Sequence, residues 1–207
     1  MKKQNIIILL AVVIALVTLF YSFRDSQDQS TYIKQIQDER AEKDRFMRNS
    51  SESPFVLDTT LTYTGLKYYS PDVRYKITAT LTPIETRKAV VLATSDGKEE
   101  RYLEFAYAEF DLDGYHNKLL ILELMAMGPM KGKLFLAFGD ETSGAETYGA
   151  GRYLDITKTP GSNTIILDFN QAYNPYCAYS NSFSCPLPPP ENLLRVAIRA
   201  GEKTYHQ

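Results

Sequence analysis

From Tyr75 to Thr82 apolar and polar residues alternate without a break: Tyr75, Ile77, Ala79 and Leu81 against Lys76, Thr78, Thr80 and Thr82. Successive side chains of a strand point to opposite faces, so this stretch predicts a half-buried strand. Pro83 ends it, because proline cannot donate to a ladder. The pattern continues downstream, and further strands are expected at 88–94, 100–112, 118–125, 134–138, 152–156, 164–169 and 194–198. Asp96-Gly97 and Asp113-Gly114 are hairpin-turn signals. Short strands separated by Gly, Pro and Asp turns predict a mainly β fold, an antiparallel sandwich or barrel over residues 51–207. Its core is expected to come from sheet packed on sheet.

Upstream of Pro54 the period is helical. Ser30 or Thr31 to Asn49 reads as a charged helix with Ser30 as N-cap and a thin apolar stripe. Glu39–Lys43 and Asp44–Arg48 are favourable i,i+4 pairs. The apolar heptad is not sustained, which argues against a coiled coil. Residues 25–50 thus comprise a short polar spacer and this helix.

Residues 4–23 carry no charge, and Ile6–Phe20 is almost wholly apolar. Twenty helical residues span roughly 30 Å, the thickness of the hydrocarbon core. Lys2 and Lys3 precede the run, which keeps the N-terminus cytoplasmic and sends the rest across. Residues 1–24 are therefore expected to be a transmembrane signal anchor, with the membrane engaged through residues 5–23. The rival is a cleaved signal peptide, but Tyr21-Ser22-Phe23-Arg24 offers no small-residue cleavage pattern. Either reading places the domain on the extracytoplasmic side, in a periplasm or at a cell surface. The net charge is −2 and the pI about 5.8, so nucleic acid is not an expected partner.

Both cysteines, Cys177 and Cys185, lie in Tyr173–Leu194 with five of the ten prolines and four aromatic residues. No helix or central strand can run through it. Export makes a Cys177–Cys185 disulfide the expected state; two free buried thiols are the alternative. No metal is expected, since the zinc spacings CxxC and HxxxH are absent. Tyr173, Asn174, Tyr176, Tyr179, Asn181 and Phe183 alternate rings with amides, a combination that suits neutral polar ligands. They equally suit a plug over one end of a barrel.

The second unusual loop is Phe138–Tyr153, with four glycines between Gly139 and Gly151 beside polar Ser143, Glu146, Tyr148 and Arg152. No Walker or GxGxxG order is present, so no cofactor is expected. Ser143 is not in a GxSxG elbow, and no EF-hand pattern exists. The plain reading is a wide connection with solvated acids. The functional reading is part of a ligand site.

Gly65–Tyr75, Thr142–Asp155, Asp168–Pro175 and Cys185–Asn192 resemble the signature blocks of a bacterial and archaeal family catalogued as domain of unknown function number 1684. The resemblance spans roughly residues 30–207. It implies no activity, cofactor or catalytic residue. Its blocks coincide with the two loops, which suggests one site built from Ser143, Glu146, Tyr148, Arg152, Asn170, Tyr173 and Asn174. The expected role is binding a small polar ligand or an envelope component. The alternatives are a hydrolase with Glu146 as weak general-base candidate and no recognisable triad, or a scaffold that recruits a partner.

Overall fold

The computed structural model describes residues 3–125 and 130–205. It divides into two compact units, Met1–Arg40 and Ala41–Gln207. Helix α1 runs over Lys3–Asn49, so it makes up the first unit and ends in the second. The chain has no glycine or proline before Pro54, so nothing breaks the helix at 25–30, where a polar spacer is expected. The Ser30 and Thr31 hydroxyls both donate to the Gln27 carbonyl at 2.9 Å. That back-bonding accommodates them inside a helix, so Ser30 is not an N-cap. Among the described residues no helix is long and apolar enough to cross a membrane. Most side chains of residues 4–23, on which the expected transmembrane helix rests, lie outside the described residues.

In the second unit α1 stops at Asn49, and the Ser53 hydroxyl caps the short α2 (Pro54–Leu57) by accepting from Phe55 N–H. Among the described residues seven strands follow: β1 (Lys76–Pro83), β2 (Ala89–Ala93), β3 (Glu99–Leu112), β4 (Tyr115–Leu124), β5 (Leu134–Phe138), β6 (Arg152–Ile156) and β7 (Thr164–Asp168). They form one antiparallel sheet in the order β6-β5-β4-β3-β1-β7, with β2 also on β3. β3 is long enough to pair with both: residues 99–103 with β2 and 106–109 with β1. The β3–β4 turn places Asp113 at φ 50° and Gly114 at φ 83°, the left-handed pair that a two-residue hairpin favours.

The sheet curls into a half-barrel. Its inner face gathers Leu81, Phe110, Ile121, Phe138, Leu154 and Leu167 into one core with Phe169. β4 is buried on both sides, since Leu119, Leu120, Ile121 and Leu122 are all inaccessible. Among the described residues no second sheet faces this core, which corrects the expectation of sheet packed on sheet. The C-terminal segment fills the place instead. Leu194, Val196, Ile198 and Ala200 are buried alternately, the expected period of two, yet they form no strand. Their backbone is satisfied partly by the segment that follows β5, with Leu194 N–H donating to Gly139 O and Glu141 N–H to Val196 O, and partly by side chains. The Arg152 guanidinium donates to the carbonyls of Ile198, Ala200 and Glu202, and the Ile198 N–H donates to Asp140. Where β4 and β5 diverge, the Asn192 side chain fills the gap. Its carboxamide bonds Leu120 N, Leu120 O and Ala137 O at 2.7–2.9 Å.

The outer face is crossed by the proline-rich stretch. At one end Tyr173 exchanges two backbone hydrogen bonds with Tyr153 of β6, at 2.8 and 3.0 Å. At the other, Ser95 N–H donates to Cys185 O and Leu187 N–H to Ala93 O beside β2. The strap therefore runs from one sheet edge to the other and buries Leu120, Leu122, Ala137 and both cysteines beneath it. Cys177 and Cys185 are free thiols rather than the expected disulfide. They are adjacent, with Cys177 N–H donating to Cys185 Sγ at 3.2 Å. Hydrogen bonding between the thiols lowers the Cys177 pKa and raises that of Cys185.

Candidate functional site

Of the residues expected to form a site, Arg152, Asn170 and Asn174 are buried, and Ser143, Glu146, Tyr148 and Tyr173 are half-buried. β6 and the strap alternate across their antiparallel bridge, so neighbouring residues point to opposite sides of the sheet. Arg152 and Asn174 point inward and are fully buried. Arg152 pairs with Asp140 at 2.8 Å, and Asn174 donates to Glu202 at 2.9 Å and to Lys203 O at 2.8 Å. Asn170 bonds both backbone groups of Asp72, at 2.9 and 2.8 Å. Ser143 Oγ accepts from Asp140 N–H within its own turn. The Tyr148 hydroxyl reaches Cys177 Sγ at 3.6 Å.

Glu146 is paired with Arg199 at 2.9 Å and accepts from the Tyr69 hydroxyl at 3.0 Å. Arg199, then Tyr69, hold its carboxyl below the ordinary glutamate value, while burial and Glu146 push Tyr69 up to about 12. A general base of this type is instead poised by a raised pKa. Among the described residues no group of three or more His, Cys, Asp or Glu side chains could hold a metal.

Tyr153 and Tyr173, one step along from Arg152 and Asn174, point outward. They border a cleft of about 860 Å³ on the part of the sheet face that the strap leaves open. Its floor is Tyr102 of β3, Leu124 of β4, Phe135 of β5 and Tyr153, with Phe105, Tyr173 and Pro186 also lining it. Phe135 and Tyr153 meet edge to face with centroids 4.7 Å apart, Tyr153 and Tyr173 at 5.9 Å. Phe105 sits at the β3 irregularity between Glu104 and Ala106, and bulges commonly re-aim side chains. The Tyr153 hydroxyl donates to Pro186 O at 2.6 Å, pinning the strap as one wall. The Tyr173 hydroxyl donates to Asp155 at 2.9 Å; burial and then Asp155 raise its pKa. Charged side chains at the cleft are Glu123, Lys133, Asp155 and Lys158.

Of the expected site residues, only Tyr173 lines this cleft. The others are hidden in the sequence because Phe135, Tyr153 and Asp155 look like ordinary members of strands. The register Phe135↔Asp155 makes them neighbours, and that register cannot be read before the pairing is known.

A family model described as protein of unknown function (DUF1684) matches residues 61–203. The chain belongs to this family. The match begins at residue 61, later than the residue 30 suggested by the sequence blocks. A solved structure, the solution NMR structure of the uncharacterized protein from gene locus rrnAC0354 of Haloarcula marismortui, is 40% identical. The similarity covers 87% of this chain and 98% of that one, with a TM-score of 0.65. No curated protein matches. The DUF1684 blocks include Arg152, Asn170, Asn174 and Asn192, which build the inner core and the C-terminal wrap.

Proposed function

We propose that this DUF1684 domain binds a small polar ligand, or a component of the cell envelope, by stacking it in the aromatic cleft. The observation that carries the reading is the cleft itself: a concavity bordered by Tyr102, Phe105, Phe135, Tyr153 and Tyr173 with charged groups at its edge. Ligand sites are typically concave, largely apolar and supplied with a few convergent polar groups. Rings held edge to face beside a pinned strap are preorganised, which reduces the cost of binding. The test is thermal unfolding of the full chain in detergent micelles against sugars, phenols and short peptides, since a ligand of the folded state raises its stability. A rise in Tm that disappears in Phe105→Ala is expected. Phe105 is half-buried and packs at the margin of the core, so the ligand-free Tm of the variant is measured alongside as its reference. A panel that leaves Tm unmoved sinks the reading.

The location belongs to the same proposal. The uncharged run 4–23 behind Lys2 and Lys3 supports an uncleaved anchor holding the domain on the extracytoplasmic side. The protein should fractionate with membranes, and intact mass should include Met1–Phe23; an N-terminus near residue 24 would refute this. In that compartment thiol oxidation would join Cys177 and Cys185, whose adjacency under the strap supports the pairing. The bond would close a short loop, worth about 2–3 kcal/mol in the chain-entropy model. Reductant should then lower Tm, and Cys177→Ser should lower it without further response to reductant. Protein isolated from membranes without reductant that still titrates two thiols would overturn the disulfide.

A further inference from the structure

The cleft's polar groups are not equally available. The Tyr153 hydroxyl is committed to Pro186 O, that of Tyr102 to Glu100 at 2.7 Å, and that of Tyr173 to Asp155. The rings thus offer faces and edges, and their hydroxyls are already bonded to the protein. The Glu123 carboxylate is bound by Arg87 at 2.7 Å. Asp155 accepts from Tyr173, and its charge acts on the Lys43 ammonium. Both acids at the cleft therefore already have cationic or hydrogen-bonding partners.

The two lysines do not. Lys133 and Lys158 line the cleft and are exposed, and neither forms an ion pair among the described residues. Lys158 lies over the Phe105 ring, 5.2 Å from its centroid. The register Leu134↔Ile156 fixes where they stand. Lys133 immediately precedes β5 and Lys158 follows β6 by two residues, so both lie at the same end of that strand pair. One end of an aromatic cleft thus carries two lysine ammoniums that form no ion pair among the described residues, near an Asp155 carboxylate already bonded by Tyr173. A ligand that stacked on the rings and placed an anionic group at that end would match both features. A cationic ligand would meet like charge there, which disfavours it.

We infer that the cleft selects a carboxylate borne on a six-membered ring, a face of the ring lying against Phe105, Tyr153 and Tyr173 and the carboxylate facing Lys133 and Lys158. This rests on the ligand-binding reading above and narrows it to a charge class. The shared chemistry could come from an aromatic acid or from a sugar acid, and the two are separated by parallel probe series.

The experiment follows the methyl resonance of Met130, which lines the cleft, in full-length protein carrying 13C-methyl methionine in detergent micelles. One series is benzoate, benzamide and benzylamine. The other is glucuronate, glucose and glucosamine. Within each series the ring is kept and the charge runs from negative through neutral to positive. In the series that resembles the natural ligand, the anion should bind roughly fivefold more tightly than the neutral member, the scale of two partly exposed ion pairs. The preference should shrink as salt rises through the range where the Debye length falls below about 8 Å. In Lys133→Gln/Lys158→Gln, two surface changes that leave the core intact, the anion and the neutral probe should become equal. Equal binding of all charges by the unaltered protein, a preference for the amine, or an anion preference that survives in the double variant each overturns the inference alone. A Met130 resonance unmoved by all six probes overturns the cleft as a ligand site as well.

Discussion

Arg152→Met is expected to destabilise the domain by about 3–5 kcal/mol, the range for breaking a buried ion pair by removing one partner. Whole domains are stable by only about 5–15 kcal/mol, so this variant should sit near the edge of folding. Arg152 is fully buried. Its guanidinium pairs with Asp140 at 2.8 Å and with the carbonyls of Ile198, Ala200 and Glu202. Those carbonyls have no strand beside them, so the side chain takes the place of a ladder. Methionine matches the length and leaves a carboxylate and three carbonyls without their donor. Lysine offers a point charge in place of a planar fork, so Arg152→Lys should recover only part of the loss. In Arg152→Met/Asp140→Leu the stranded carboxylate is gone, and the double variant should be more stable than the sum of the singles implies. Urea unfolding of the full chain in micelles checks this. A loss under about 1 kcal/mol for Arg152→Met would sink the account.

The outline of the sheet was legible from the sequence because it rests on local rules. The alternation of Tyr75–Thr82 becomes β1, Asp113-Gly114 makes its turn, and the seven strands up to residue 168 lie within a few residues of expectation. What escaped depends on partners far apart in the chain. An arginine opening a strand reads as solvent-facing, because Asp140 and the carbonyls 46–50 residues downstream that bury it are invisible locally. Residues 194–198 carry a strand's periodicity, but their backbone meets the segment after β5 only at Leu194 and Val196, and Arg152 and Asp140 bind Ile198 instead. For the strap the sequence leaves two outcomes open, plug or site. Tyr179, Tyr176 and Asn174 act as plug, and Tyr173 and Pro186 reach the cleft.

Glu202→Gln is expected to be the second most damaging change, and to alter the pH dependence of folding. Glu202 is inaccessible to solvent. Its carboxylate accepts from the Tyr179 hydroxyl, from Asn174 N and Nδ2, and from Lys43 Nζ at 3.4 Å. Lys43 also lies over the Tyr173 ring, 4.3 Å from its centroid. Burial lowers the Lys43 pKa below 10.5, and Glu202 is the main influence opposing that shift. A glutamine keeps the shape and removes the charge, leaving the buried ammonium with only the weaker influence of Asp155. The cost near neutral pH should be about 3 kcal/mol. With Glu202 gone the folded-state Lys43 pKa falls further from its unfolded value. Between those two values the unfolded chain binds more protons, so stability rises with pH. The contribution of Lys43 is fully present above 10.5 and is lost as pH falls through the lowered folded value. The variant should therefore close part of its gap to the unaltered protein as pH is raised toward 10. Subtracting one profile from the other cancels the tyrosines that titrate alike in both; Tyr179, whose pKa burial and then Glu202 raise, is removed from the comparison by making it in a Tyr179→Phe background. Lys43→Met in the Glu202→Gln background should remove that slope and recover stability. A gap that stays constant or widens with rising pH would show that Lys43 is not the charge Glu202 neutralises.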